Sequence, residues 1–202
     1  MPKQFWTTVI TLPLLMATAA AAASTNPDYV GADASIFIQD ATVRKVFHDQ
    51  KGFEKELKAN QILLEEGVPT GALGADRAAR AITYKRQKAG ALYDIMEAGV
   101  GVEEADAYYE KMEELGEYRE ELKKKGIVHG DPHLKNILVD DEGNLFLHDW
   151  GRMARKFDGK RRVGETDAEF AARKRKEEKE WEEAVKNDDM QWKRAEMYMS
   201  YY

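Results

Sequence analysis

The spacing of apolar residues changes several times along the 202-residue chain, and each change marks an element. After the turn Asn26-Pro27-Asp28, residues 35–39 (SIFIQ) and Thr42–Phe47 (TVRKVF) are short β-type runs joined by Asp40-Ala41, which predicts a hairpin. From residue 53 to 66 the period lengthens: Phe53, Leu57, Leu63 and Leu64 recur near helical spacing until Gly67 and Pro69 stop the pattern. Two further strands are expected at 70–73 and Ala81–Lys85, with 75–81 open to a helical reading, and Ala89-Gly90 then leads into a short helix at 92–98. Residues 103–125 carry the apolar stripe of a long helix (Ala107, Tyr108, Met112, Leu115, Tyr118, Leu122), closed by Gly126. Beyond it come Ile127-Val128, a loop at 129–136, a strand at Ile137–Val139, the turn DDEGN at 140–144 and a strand at 145–148. Gly143 supplies the positive φ that this hairpin needs. A basic loop at 155–164 precedes a long charged helix at 166–199, capped by Thr166 or Asp167.

Composition narrows the class. With 43 % hydrophobic and 34 % charged residues the chain reads as a soluble globular protein, and a net charge of −6 gives it no general affinity for nucleic acid or an anionic membrane. Any phosphate site must be local. The absence of cysteine excludes disulfides, thiolate metal sites and cysteine nucleophiles. Residues 1–23 differ from the rest: Lys3 precedes an apolar run at 9–23 that ends in consecutive alanines before Ser24, the layout of a secretory signal peptide. The expectation is a secreted protein with no stable membrane insertion after leader cleavage; the alternative is anchoring by an uncleaved segment, disfavoured by Pro13 and by the short run.

Candidate chemistry is concentrated in residues 129–151: His129-Gly130-Asp131-Pro132-His133-Leu134-Lys135-Asn136, a hairpin, then His148-Asp149-Trp150-Gly151. Phosphoryl transfer from a nucleotide needs a carboxylate near the attacking hydroxyl and oxygen ligands that hold Mg²⁺ against the phosphates. Asp131 lies five residues before Asn136, and Asp149 follows beyond the hairpin. The segment resembles the catalytic and metal-binding loops of the protein-kinase-like superfamily, whose pattern His-x-Asp-x-x-x-x-Asn followed by Asp-x-Gly is matched by His129, Asp131, Asn136, Asp149 and Gly151. The form HGDxH, with His133 where ordinary protein kinases usually have lysine, is similar to aminoglycoside and choline phosphotransferases and to atypical protein kinases. The resemblance implies that Asp131 orients or deprotonates the acceptor hydroxyl, that Asn136 and Asp149 bind Mg²⁺, and that His129 braces the loop. Asp140, Asp141 and Glu142 read as a solvated turn, and His48 and His148 as structural.

The same resemblance implies a fold: α+β, two-lobed, with a small β-rich N-lobe carrying one helix (24–90) and a truncated, mainly helical C-lobe (91–202) ending in the charged helix. It also implies a lysine for the nucleotide phosphates and an acid to hold it. Arg44 and Lys45 lie on opposite faces of their strand, Val43 sharing the face of Lys45 and Val46 that of Arg44, so alternation alone does not choose between them; the resemblance selects Lys45. Its partner would be Glu56, with Glu54 as a neighbouring alternative. Gly31, in Gly31-Ala32-Asp33-Ala34-Ser35, is the single glycine where the family often has three. Only residues 152–202 follow Gly151, and the basic positions Arg152, Arg155, Lys156, Lys160, Arg161 and Arg162 stand where an activation segment would be: a docking site for an acidic partner or phosphate, or a solvated loop.

These features predict an ATP- and Mg²⁺-dependent kinase acting on protein hydroxyls, the protein substrate belonging to a host or neighbouring cell. A small-molecule kinase of the aminoglycoside or choline type and a pseudokinase binding module are the competing expectations. The tyrosines at 198, 201 and 202 are read as a frayed aromatic end or an autophosphorylation site.

Overall fold

The computed structural model describes residues 26–87 and 89–201; the leader at 1–23 lies outside the described residues. The chain divides between Arg86 and Gln87 into two units. Together they give the α+β class that the sequence predicts, with antiparallel sheet dominating the first unit and helix the second. Among the described residues no helix is long and apolar enough to cross a membrane.

The first unit is an antiparallel sheet of β1 (Tyr29–Val30), β2 (Ala34–Ile38), β3 (Thr42–Phe47), β4 (Ala72–Asp76) and β5 (Ala81–Lys85), in the order β1-β2-β3-β5-β4. The predicted hairpin is β2–β3, with Ile36 opposite Lys45. Helix α1 (Gln50–Glu65) joins β3 to β4 and begins before its apolar pattern does, because Asp49 caps it by accepting from the Gly52 N–H at 2.7 Å. Phe53 and Leu57 of α1 pack on Ala34, Phe47, Ile82 and Tyr84, so one sheet face and one helix stripe make the core.

The expected strand at 70–73 starts later, after Gly71, whose φ of +70° belongs to a turn rather than a strand. The segment 77–80 is a turn and not a helix: the Asp76 carboxylate accepts from the Ala79 N–H at 3.0 Å and draws the chain back into β5.

The second unit contains β6 (Gly90–Ala91), α2 (Leu92–Glu97), α3 (Val102–Lys124), β7 (Ile127–Val128), β8 (Ile137–Val139), β9 (Leu145–Leu147), β10 (Ala154–Arg155) and α4 (Asp167–Met199). Strands β6, β8 and β9 form one antiparallel sheet, and β7 pairs with β10 in another. Gly126 ends α3 with φ +79°, and Gly143 turns β8 into β9 with φ +78°. Helix α4 opens on a full capping box, in which Thr166 and Glu169 satisfy each other's backbone N–H groups. Helix α3 packs on β7 and β9, and α4 packs on β7, β10 and α3, so both long helices hold β7, the strand that leads into residues 129–136.

Candidate active site

In the first unit, strand β3 turns Lys45 and Phe47 toward α1 while Arg44 sits on the other face, 3.5 Å from Asp76. Lys45 Nζ donates to Glu56 Oε2 at 2.6 Å, and Glu56 is 2 % exposed. Tyr84 Oη of β5 donates to Glu56 Oε1 at 2.5 Å, and Asn60, one helical turn on, donates to the Glu56 carbonyl at 2.9 Å and to Tyr84 Oη at 3.3 Å. Glu54, the neighbouring acid, instead makes an exposed ion pair with Arg77 at 2.7 Å. A buried carboxylate that binds a lysine and a tyrosine fixes the direction of the ammonium. The Gly31 turn is closed by its own N–H on the Ala34 carbonyl at 2.9 Å. His48 clamps this turn: Nδ1 lies 3.1 Å from the Ala32 carbonyl, which can only accept, so Nδ1–H donates and Nε2 accepts from Ser35 Oγ at 3.1 Å.

In the second unit His129 is 1 % exposed and lies against Trp150, ring centroids 4.5 Å apart. Its Nε2–H donates to the His148 carbonyl at 2.7 Å and its Nδ1 accepts the Asp131 N–H at 3.2 Å, an arrangement that requires the neutral ring. Burial pushes the His129 pKa down; the His148 carbonyl and the charges of Asp188, Asp149 and Asp131 offset this in part. The Asp131 carbonyl accepts from Asn136 Nδ2 at 3.0 Å and from the His133 N–H at 2.9 Å, closing the loop on itself. With its NH₂ donating to the Asp131 carbonyl, Asn136 keeps its carboxamide oxygen as an acceptor. The Asp131 carboxylate, 14 % exposed, has Arg152 Nε at 3.4 Å and His133 Nε2 at 3.8 Å.

Asp149 adopts the left-handed conformation (φ +59°, ψ +66°) as the chain leaves β9 for the single turn at Trp150–Arg152. For a residue other than glycine that costs roughly 1–3 kcal/mol, and it turns the carboxylate off the strand direction. Asn136 and Asp149 are hard oxygen donors. Mg²⁺ takes one or two protein oxygens and completes its shell with water and phosphate, so this pair fits Mg²⁺, as the Lys45 ammonium fits phosphate oxygens.

Residues outside the motif hold it in place. Both backbone groups of Gly130 are bound by consecutive residues of α4: its N–H donates to Asp188 Oδ1 at 2.9 Å and its carbonyl accepts from Asn187 Nδ2. Asp188 is fully buried and pairs through its other oxygen with Arg119 of α3; Arg119 also reaches Asp189 at 3.0 Å and lies over Trp192, 5.2 Å from the ring centroid. Gly130 itself has φ +82°, and a Cβ there would collide with the Arg152 carbonyl oxygen. Sequence reasoning missed Arg119, Asn187 and Asp188. For Arg119 and Asp188 the signal is a charge at a core register, Arg119 sharing a stripe with Leu115 and Leu122 and Asp188 with Trp192 and Ala195; Asn187 carries no such signal.

Of the basic positions after Gly151, Arg161 pairs with Asp167 at 2.5 Å and lies over Phe170, and Arg162 reaches Glu177 at 3.4 Å. Arg173, between Phe157 and Phe170, binds Glu165 and the Lys160 carbonyl and ties this loop to α4. Part of the predicted basic patch is therefore spent on internal pairing.

No curated protein matches the chain. Residues 102–179 match the family model of the ABC1 atypical kinase-like domain, a span that contains His129, Asp131, Asn136, Asp149 and their supports on α3 and stops short of Lys45, Glu56 and Asp188. That match over 102–179, on an α+β fold whose first part is antiparallel sheet and whose second is mainly helical, supports a protein-kinase-like superfamily assignment.

Proposed function

We propose that the chain is an ATP- and Mg²⁺-dependent kinase that phosphorylates protein hydroxyls. The observation that carries this reading is the closed loop around Asp131. Its backbone is pinned by Asn136, His129 and α4, so a carboxylate and a carboxamide oxygen are held for chemistry rather than spent on the fold. Mg²⁺–ATP, when bound, supplies an electrophilic γ-phosphorus and an ADP leaving group whose charge the ion neutralises. Asn136 and Asp149 would hold the ion, and Lys45, aimed by Glu56, would hold phosphate oxygens. Asp131 takes the proton of the acceptor hydroxyl as that oxygen bonds to phosphorus and the bond to ADP breaks, ADP leaving with the electron pair. On this reading the leader at 1–23 sends the protein out of the producing cell, and its acceptor belongs to a host or neighbouring cell.

The test is incubation of residues 24–202 with γ-labelled ATP, Mg²⁺ and a mixed protein extract. Protein labelling is expected, falling by about 10³-fold or more in Asp131→Ala and Asp149→Ala, the scale of a positioned base or an ion ligand. Nucleotide binding without protein labelling would redirect the assignment to a small-molecule acceptor, which the HGDxH form favours. Absence of nucleotide binding would leave a pseudokinase module.

A further inference from the structure

Arg152 is singular among the basic residues that follow Gly151. Its side chain is 68 % exposed, and its one ion pair among the described residues is Nε to Asp131 Oδ2 at 3.4 Å. A guanidinium presents five N–H donors in a planar fork, so contact through Nε alone leaves both Nη groups for another oxyanion. Its place is set by the backbone. The single turn Trp150–Arg152 is closed by the Met153 N–H on the Trp150 carbonyl at 2.9 Å, and the Arg152 carbonyl sits over Gly130 at a spot where any side chain on residue 130 would displace it. The glycine of HGD thus lets an arginine from the far side of the hairpin come down beside the acid. Arg161 and Arg162, by contrast, are engaged by Asp167 and Glu177.

We propose that Arg152 is a specificity-determining residue that selects acceptors in which the hydroxyl lies next to an anionic group, a carboxylate-flanked serine or threonine. The inference rests on the kinase reading above and extends it to substrate class. An acceptor hydroxyl close enough to give its proton to Asp131 brings its neighbouring groups within reach of the free Nη donors. A carboxylate there gains a charge-assisted, bidentate contact, whereas a lysine at the same place meets a fixed positive charge.

The experiment uses two fluorescent peptides identical except that the serine is flanked by aspartates in one and lysines in the other. Each is offered to the wild-type protein and to Arg152→Glu, Arg152→Gln and Lys176→Glu. Lys176 is an exposed α4 residue whose reversal changes net charge equally. Both transfer rate and equilibrium binding, by anisotropy without nucleotide, are read. The wild type should favour the aspartate peptide by about tenfold or more in kcat/KM, the scale of one charge-assisted contact. Arg152→Gln should erase that ratio and Arg152→Glu invert it, while Lys176→Glu leaves it intact. An unchanged ratio in Arg152→Glu, or an equal change in Lys176→Glu, overturns the inference while the kinase reading stands. If no peptide is labelled by the wild type, the protein-kinase reading fails on its own, and binding decides the inference. Aspartate-peptide affinity that drops about tenfold in Arg152→Glu supports it, and equal affinities overturn it.

Discussion

Among the described residues each unit of the molecule has a buried ion pair, Lys45–Glu56 in the first and Arg119–Asp188 in the second, and the two carboxylates divide their oxygens differently. Glu56 gives both to side chains, one to Lys45 and one to Tyr84. Asp188 gives one to Arg119 and the other to the backbone of Gly130, the residue before Asp131. The first pair aims a cation; the second fixes a loop. Buried pairs contribute little net stability over apolar packing, because desolvation of the two charges offsets most of their attraction, so both are better understood as positioning devices.

The largest effect is expected where the backbone depends on the pair. Asp188→Ala leaves the Arg119 guanidinium buried without its main partner and the Gly130 N–H without an acceptor. Breaking such a pair costs about 3–5 kcal/mol. Urea unfolding should show that loss, and hydrogen exchange should show residues 129–136 deprotected ahead of β2 and β3. Nucleotide affinity should change little while kcat falls. Deprotection spread evenly over both units would mean that Asp188 is a general stabiliser and not an anchor of this loop.

Glu56→Gln tests the other side of the comparison with a smaller change. A glutamine carbonyl can accept from Lys45 or from Tyr84 but does not reproduce both contacts of the carboxylate. One buried donor is then left without its acceptor, at roughly 1–3 kcal/mol. Here ATP binding should weaken by about tenfold, as the ammonium loses its aim, with kcat at saturating ATP reduced less. If Glu56→Gln and Asp188→Ala reduce ATP affinity and kcat in the same proportion, the division of labour between the two pairs is wrong.

The comparison also explains what the sequence could and could not reveal. The loop motif is local: His129, Asp131 and Asn136 lie within eight positions, and a hairpin with its own glycine turn sets where Asp149 emerges, so spacing alone exposes the constellation. Lys45 was ambiguous against Arg44 because strand alternation gives two faces without saying which is buried; packing of α1 on the sheet decides it. Glu56 sits at the register of Phe53 and Asn60 rather than among the exposed acids of α1, a distinction that appears once the helix start at Gln50 fixes the phase. Asn187 and Asp188 were illegible for a different reason. They lie far along a helix dense in charged residues, where an acid at a core position resembles every other acid until α3 is laid against it. Arg152 was visible only as one of six basic residues; its place beside Asp131 depends on Gly130 yielding space.

The smallest effect separates His129 from both ion pairs, since it is held as an uncharged group. Burial depresses its pKa in the folded protein, while in the unfolded chain it titrates near the usual value of about 6.5. Below that pH the unfolded state binds a proton that the folded state refuses. Stability is therefore fully present above about pH 6.5 and falls as the pH drops toward the depressed folded value, by at most about 1.4 kcal/mol per pH unit from this one group. Acid also protonates carboxylates, so the informative quantity is a difference: urea unfolding of the wild type and of His129→Gln between pH 7.5 and 5. Gln keeps an N–H for the His148 carbonyl and does not titrate. The wild type should lose stability faster on acidification, with the gap opening below pH 6.5. Parallel curves would mean that His129 accepts its proton without disturbing the loop, and that the contacts of its ring with the Asp131 N–H and the His148 carbonyl do not depend on its neutral form.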